Sequence, residues 1–209
     1  MNINRHRQIC IILMIFPLLS IMLALAIACE NSHIFYNRNA SMYVYLQGVK
    51  QGNFGYGFDI NHNNGISFSG LEPGDIILGG YPGCAYGRFS HAGLYIGNGQ
   101  VIESFGELGV NIQPIEHYRD YTEICLLRVN LPEEIKKDAV KYTMKYEGAM
   151  FYPVAFKPGD RLWNCSKIMW QAYIEQGVDL ALFDDFWIAP DNFYYSSQVS
   201  IIREKGRVK

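Results

Sequence analysis

Cys165 is the residue of this chain whose position most suggests chemistry. It stands near the start of WNCSKIMWQAYIEQG (163–177), where apolar residues recur at helical spacing and Gly177 is well placed to end the helix. The free N–H groups and the dipole at a helix N-terminus stabilise a thiolate, which is the nucleophilic form of cysteine. The backbone N–H of Cys165 could also help to hold the oxyanion of an attacked carbonyl. The sequence therefore predicts Cys165 as a nucleophile.

A thiol nucleophile needs a base, and histidine is the usual one. Four histidines follow the N-terminal segment. His33 and His62 lie in an irregular region, and His117 lies in a polar stretch, IEHYRDY, that resembles a loop. His91 instead begins a well-marked strand, so we predict it as the base.

Glu103 lies in VIESF, the strand that follows the His91 strand, and is the candidate to orient the imidazole. Its face depends on the turn between the two strands. A two-residue turn at 98–99 would turn Glu103 away from His91, because side chains alternate. A three-residue loop at 97–99 would set Gly93 opposite Glu103 and make Glu103 the diagonal neighbour of His91. We favour the three-residue loop because it gives a strand carboxylate a partner.

Each of the three residues also has a plainer explanation when it is taken singly. A lone cysteine is more often a small buried apolar residue, and a lone histidine is more often a surface residue. Cys, His and Glu are also metal ligands, but the chain has no close pair such as C-x-x-C or H-x-x-x-H. We therefore predict no metal and no cofactor.

The N-terminal segment 1–28 has the layout of a signal peptide or a membrane anchor. Arg5 and Arg7 precede an uncharged apolar run from Cys10 to Ala28. Three interpretations stay open: cleavage at 26–28, lipidation of Cys29 at a lipobox that lacks the usual Leu, or an uncleaved anchor. All three put the rest of the chain outside the cytoplasm, because the arginines precede the apolar run. We expect an exported, membrane-tethered protein.

The composition of the remaining chain limits which partners and which disulfides are expected. The formal charge of the 209 residues is −2 and no basic block occurs, which argues against a nucleic-acid partner. Outside the apolar segment four cysteines remain, which in an oxidising compartment would favour two disulfides. If Cys29 carries lipid, one of the other three is left over. These other three are Cys84, Cys125 and Cys165.

The pattern of elements predicts an α+β fold, with an antiparallel sheet packed by helices. We expect a linker and irregular lead-in over 29–70, with a possible strand at 41–49, and the catalytic domain over 71–209. Strands are predicted within 71–80, 91–105 (as a hairpin), 122–129 and 198–205. Helices are predicted within 131–148 and from Cys165 onward.

SHAGLYIGNGQVIES and WNCSKIMWQAY together resemble the circularly permuted papain-like enzymes related to NlpC/P60 peptidases. The YiiX-like amidases are the nearest group, and lecithin–retinol acyltransferase is more distant. In the permuted group the His strand precedes the Cys helix, as His91 precedes Cys165 here. The resemblance extends over about residues 70–204 and includes PGDIIL (73–78) and IAPDNFYYSS (188–197).

The resemblance implies an amidase with Cys165, His91 and Glu103 as its catalytic residues and a peptide, such as a cell-wall peptide, as its substrate. A lipid is the chief alternative substrate, through acyl transfer or thioester hydrolysis by the same residues. A catalytically inactive binding module of the same fold is the third possibility. Lys167 stands where the family often has Glu, and Tyr152 ends a stretch where the family often has Tyr-Asp, so the substrate pocket is expected to differ.

Overall fold

The computed structural model describes residues 3–59, 63–181, 183 and 185–206, with side chains from residue 13 onward. His62, which was weighed above as a base, lies outside the described residues. The chain divides into two compact units, Met1–Asn37 and Arg38–Lys209.

The first unit is dominated by one long helix, α1 (Ile3–Glu30), followed by the short helix α2 (Ser32–Tyr36). The stretch Leu13–Glu30 of α1 is long and apolar enough to cross a membrane. Its large apolar side chains are exposed. Length and composition therefore agree with the predicted signal peptide or anchor, and a cleaved signal and an anchor share both properties.

The second unit is built on a six-stranded antiparallel sheet with the strand order β4-β3-β2-β1-β5-β6. The α+β prediction is confirmed, and each predicted strand of the domain is present. The strands are β1 (Ile76–Gly80), β2 (His91–Gly97), β3 (Gln100–Phe105), β4 (Gly109–Pro114), β5 (Glu123–Val129) and β6 (Val199–Lys205).

Both faces of the sheet are covered, because successive strand residues point to opposite faces. On β1, Ile76 and Leu78 join the core beneath the helices, whereas Ile77 joins a second core on the other face. On β2, Ala92 and Leu94 belong to the helix side. His91 and Gly93 therefore face the second core. The helices of this unit are α3 (Ser41–Lys50), α4 (Glu133–Met144), α5 (Cys165–Ile174) and α6 (Pro190–Tyr194).

The prediction of a strand at 41–49 is wrong, because this stretch forms α3. Its aromatic and β-branched residues favour a strand, but its buried positions, Ser41 and Gly48, are seven residues apart, which is two helical turns. A Cβ on Gly48 would overlap the backbone of Ala85, so the glycine allows close packing here. Tertiary packing decides the helix.

The described residues of the lead-in, 38–59 and 63–70, group with the second unit, and the boundary at 71 stays a prediction. Ile66 is fully buried in the second core. The Asn64 amide nitrogen donates to the carbonyl oxygens of Tyr118 and Tyr121 at 2.8 and 2.9 Å. These contacts attach the lead-in to the segment that covers His91.

That segment is a 3-10 helix, Ile115–Asp120, which follows β4. Neither element was predicted, and IEHYRDY was interpreted as a loop. Ile115, Tyr118 and Tyr121 are all buried, at intervals of three residues. A period of three is that of a 3-10 helix, so the pattern that could have revealed the segment is present in the sequence.

Candidate active site

The hairpin of β2 and β3 has the predicted register but not the predicted loop. Leu94 pairs with Ile102 and Tyr95 with Val101, which sets Gly93 opposite Glu103. The turn has only two residues, Asn98 and Gly99, both with positive φ (54° and 72°). The shift of one residue comes instead from a bulge between Tyr95 and Gly97. Glu103 and His91 thus share one face of the sheet.

His91 and Glu103 form a buried hydrogen-bonded pair. His91 Nε2 lies 2.9 Å from Glu103 Oε2, and the residues are 1% and 3% exposed. The hydroxyl of Tyr118 donates to the same carboxylate oxygen at 3.0 Å. Glu103 is therefore held from two sides, and Nδ1 of His91 is left for another partner.

Two glycines make room for the rings that enclose His91. A Cβ on Gly93 would overlap the hydroxyl of Tyr118, and a Cβ on Gly79 would overlap the ring of Tyr121. Both tyrosine rings stack on the imidazole, with centroid distances of 5.8 and 6.1 Å. Phe105 and Tyr56 also pack edgewise or tilted beside it. The imidazole therefore lies in an aromatic cage and is almost inaccessible to solvent.

Cys165 is the first residue of α5, as predicted. The side chain of Asn164 caps this helix by accepting from the amides of Ser166 at 3.1 Å and Lys167 at 2.7 Å. This cap does not use the amide of Cys165, which therefore stays available at the helix opening. Cys165 is 8% exposed, and its sulfur lies 3.8 Å from the hydroxyl oxygen of Ser166. His91 and the amide of Ala92 both favour the thiolate and lower the pKa of the thiol.

The electrostatics favour an ion pair between Cys165 and His91. Burial by itself raises the pKa of Cys165, but its interactions with His91 outweigh burial and lower the pKa. Burial likewise opposes protonation of His91, but Glu103 and Cys165 raise its pKa. The pKa of Glu103 is lowered because His91 and His117 outweigh its burial. The tertiary structure thus brings all three predicted residues together, because His91 is hydrogen-bonded to Glu103 and interacts electrostatically with Cys165.

His117 is a site residue that the sequence interpretation set aside. Its Nε2 lies 3.2 Å from Glu103 Oε2, and its side chain is 32% exposed. Burial lowers the pKa of His117, but its interactions with Glu103 raise it overall. The ligand atoms of His91, Glu103 and His117 all lie within 4.8 Å of one another, so these three residues could hold a metal ion. Sequence spacing alone contains no sign of this cluster, because the three residues come from different elements.

Asp191 positions the loop that leads into His91. Its carboxylate accepts from the amide of Arg88 at 2.9 Å and from that of Phe89 at 2.8 Å. The next residue, Asn192, accepts from the hydroxyl of Ser41 at 2.8 Å. The IAPDNFYYSS stretch therefore acts on the site through backbone contacts.

The two departures from the family pattern lie on the segment around the start of α5. Lys167 is buried, and its ammonium donates to the carbonyl oxygens of Pro158 and Leu162 at 3.4 and 3.0 Å. Burial lowers its pKa. The segment 150–162 before Cys165 carries exposed apolar side chains, namely Met150, Tyr152, Val154, Phe156 and Leu162.

The four described cysteines, Cys29, Cys84, Cys125 and Cys165, are all free and form no disulfide with one another. Burial raises the pKa of Cys84 and of Cys125, in each case to about 12. Cys165 differs because His91 reverses the effect of its burial. A low-pKa thiol next to an imidazole is the arrangement of a nucleophilic cysteine.

The solved structures that share this fold include the metalloprotein YiiX from Escherichia coli O157:H7. It superposes with a TM-score of 0.52 at 16% sequence identity, covering 65% of this chain and 98% of that one. At this identity the likeness shows the fold. No curated protein is significantly similar to the chain.

The sequence profile of a known family matches residues 71–188, which is more than half of the chain. The matched region contains β1 to β5, the His91–Glu103 pair and the Cys165 helix. The chain therefore belongs to the permuted papain-like amidase enzymes of the YaeF/YiiX, C92 family.

Proposed function

We propose that this papain-like amidase is a thiol hydrolase in which Cys165 attacks a peptide amide, His91 transfers the proton and Glu103 orients His91. The observation that carries the proposal is that His91, hydrogen-bonded to Glu103, lowers the pKa of the buried thiol of Cys165 at the N-terminus of a helix. Each member is buried, so the charges act in a medium that screens them weakly.

The reaction begins from the thiolate of Cys165 and the imidazolium of His91. The sulfur attacks the carbonyl carbon, and the oxyanion is stabilised by the uncapped amide of Cys165. The Nδ1 proton of His91 passes to the leaving nitrogen as the C–N bond breaks, which leaves a thioester on Cys165. Water then attacks the thioester and gives its proton to Nδ1, which releases the acid and restores the thiolate.

Glu103 keeps Nδ1 directed at the sulfur by binding Nε2, the other nitrogen of the ring. Its negative charge also stabilises the imidazolium that the thiolate needs. Tyr118 holds the carboxylate in this orientation through its 3.0 Å hydrogen bond. The role of Glu103 is therefore both geometric and electrostatic.

We place the enzyme outside the cytoplasm, tethered through the N-terminal segment or through lipid on Cys29. The long apolar stretch Leu13–Glu30 supports a signal or an anchor. The arginines before it support export of the rest of the chain. Selective labelling of intact cells with a membrane-impermeant reagent tests this assignment.

The first test of the chemistry is the rate of iodoacetamide labelling against pH, with mass mapping of the labelled cysteine. Cys165 should react well below pH 8, because its thiolate is stabilised. His91→Ala should shift the profile upward, since burial then acts unopposed. Cys84 and Cys125 in the same sample serve as internal controls that should not react at that pH. A profile of Cys165 at ordinary thiol pH, unchanged in His91→Ala, would support a binding module instead.

A fatty-acyl ester or thioester is the second candidate substrate, favoured by the exposed apolar side chains on segment 150–162. This segment leads directly to the capped start of α5, since Asn164 Nδ2 donates to the carbonyl oxygens of Pro153 and Ala155 at 3.3 Å. Acyl p-nitrophenyl esters of increasing chain length, compared with peptide p-nitroanilides, separate the two candidates. A rate that rises with chain length would favour the lipid, and cleavage of the anilides alone would favour the peptide.

A further inference from the structure

His117 has one nitrogen whose state is set by the backbone. Its Nδ1 lies 2.6 Å from the carbonyl oxygen of Pro114, which can only accept, so Nδ1 carries hydrogen. In the neutral imidazole, Nε2 is then a bare lone pair. That nitrogen has no hydrogen-bond partner among the described residues, although Glu103 Oε2 is only 3.2 Å away. Two electron-rich atoms facing each other in a largely buried place need a cation between them. That cation is either a proton on Nε2, which Glu103 favours, or a metal ion.

His91 directs its own Nε2 at the same oxygen of Glu103, at 2.9 Å. One carboxylate oxygen therefore gathers two imidazole nitrogens, delivered by β2 and by the 3-10 helix Ile115–Asp120. Two imidazole nitrogens and a carboxylate oxygen form a donor set typical of zinc and similar divalent ions. With bonds of about 2.1 Å, each imidazole nitrogen and the carboxylate oxygen, at 2.9 and 3.2 Å from each other, would subtend roughly 90–100° at one ion.

The surroundings of the three ligands also suit a metal. Nδ1 of His117, the nitrogen that faces away from Glu103, is hydrogen-bonded to the carbonyl oxygen of Pro114, and Glu103 accepts a hydrogen bond from the hydroxyl of Tyr118. Such outer contacts orient metal ligands and raise their affinity. His91 and Glu103 have nearly inaccessible side chains (1% and 4% exposed), whereas that of His117 is 32% exposed and supplies the route from solvent.

We propose that His91, Glu103 and His117 bind a divalent transition metal of the zinc class, and that the bound ion inhibits the thiol chemistry. The second half of this inference rests on the proposed function. Binding displaces the Nε2 proton of His91 to solvent, together with any proton on Nε2 of His117. The Nδ1 proton of His91 stays on the ring, so Cys165 remains a thiolate.

The ion inhibits because of what His91 would become during proton transfer. A metal-bound imidazole that gives up its remaining proton becomes an imidazolate, so His91 is a much weaker acid toward the leaving group. We do not expect the sulfur to be a ligand, because the cluster of ligand atoms around Nε2 of His91 consists of Glu103 and His117 and does not include Cys165. Turnover should therefore fall while the thiolate stays open to small alkylating reagents.

The test titrates Zn²⁺ into the metal-free full-length protein in detergent and measures binding by calorimetry. Ca²⁺ and Mg²⁺ serve as hard-ion controls that should not compete. His117→Gln should weaken Zn²⁺ binding at least tenfold, whereas the matched control His33→Gln, in the first unit, should bind like wild type. Equal affinity in wild type and His117→Gln would overturn the site.

Co²⁺ provides a readout on the unaltered protein. Its visible absorption should show nitrogen and oxygen ligation, and a strong sulfur-to-cobalt charge-transfer band would overturn the site by placing the ion on Cys165. Iodoacetamide labelling of Cys165 in saturating Zn²⁺ should proceed within about twofold of the metal-free rate, and its loss would have the same meaning. An unactivated Cys165 in metal-free protein would overturn the proposed function alone, since calorimetry decides the metal site separately.

Discussion

The hydroxyl of Tyr118 fills the space that a side chain on residue 93 would need, and Gly93 leaves this space open. The side chain that Gly93 lacks would stand where the Tyr118 hydroxyl lies, and that hydroxyl donates to Glu103. Gly93 lies opposite Glu103 across the hairpin. The strand that carries His91 therefore also leaves room for Tyr118, which holds Glu103 in place. This glycine is required for space, not for a special backbone angle.

Gly93→Ala should lower the free energy of unfolding by about 1–3 kcal/mol, as overpacking does. In a Tyr118→Phe background the same change should cost less, because the overlapping hydroxyl is gone. The urea dependence of tryptophan fluorescence measures both costs and their coupling. An equal loss of unfolding free energy in the two backgrounds would show that Gly93 is not needed to make room for the hydroxyl.

Asn164→Ala should remove the cap of the Cys165 helix and lower the free energy of unfolding by about 1–2 kcal/mol. The change also breaks the bonds from Asn164 to the carbonyls of Pro153 and Ala155. Asn164→Ser keeps a cap oxygen and should recover part of the loss. Thermal unfolding of the three proteins compares them, and identical stability of the Ala and Ser variants would contradict the role of the cap.

The stability of the domain should depend on pH through the His91–Glu103 pair. The pKa of Glu103 is lowered by folding, so its contribution is complete above its unfolded pKa, about 4.3, and is lost as pH falls through the folded value. The pKa of His91 is raised, so its contribution is complete below about 6.5 and is lost as pH rises through the folded value. The full effect therefore lies between roughly pH 4.3 and 6.5.

The difference in unfolding free energy between wild type and the double variant His91→Ala/Glu103→Gln measures this effect. The difference should be largest inside that window and should shrink on both sides of it. Denaturant titrations at about one-unit pH intervals supply the values. A difference that is constant across the range would mean that the pair carries no folding-linked charge.

A protein that begins at Arg38 should fold cooperatively, whereas one that begins at Leu71 should not. The lead-in supplies Ile66 to the second core, and Asn64 ties down the segment that carries Tyr118 and Tyr121. Tyr56 of the lead-in also packs against His91. Circular dichroism during heating distinguishes the outcomes, and equal midpoints for the two proteins would support residue 71 as the start of the domain.

Local patterns were enough to predict most of the elements that hold the site. Apolar periodicity, which indicates burial of one face, predicts the hairpin, the strand at 122–129 and the helices α4 and α5. Stretch 41–49 was misjudged, since strand-favouring residue types there are overruled by packing of Gly48 on Ala85. The 3-10 helix was missed because a period of three is hard to distinguish in so short a segment.

The sequence by itself determined which residue types stand where chemistry is possible: a cysteine opening a helix, a histidine opening a strand and a carboxylate on the next strand. Only the tertiary structure decided that these meet, because the bulge between Tyr95 and Gly97 sets which face Glu103 takes. It also decided that His117 and Tyr118 reach that carboxylate from a separate segment. The reason is physical: contacts between distant segments depend on register and packing, and neither is encoded in local spacing.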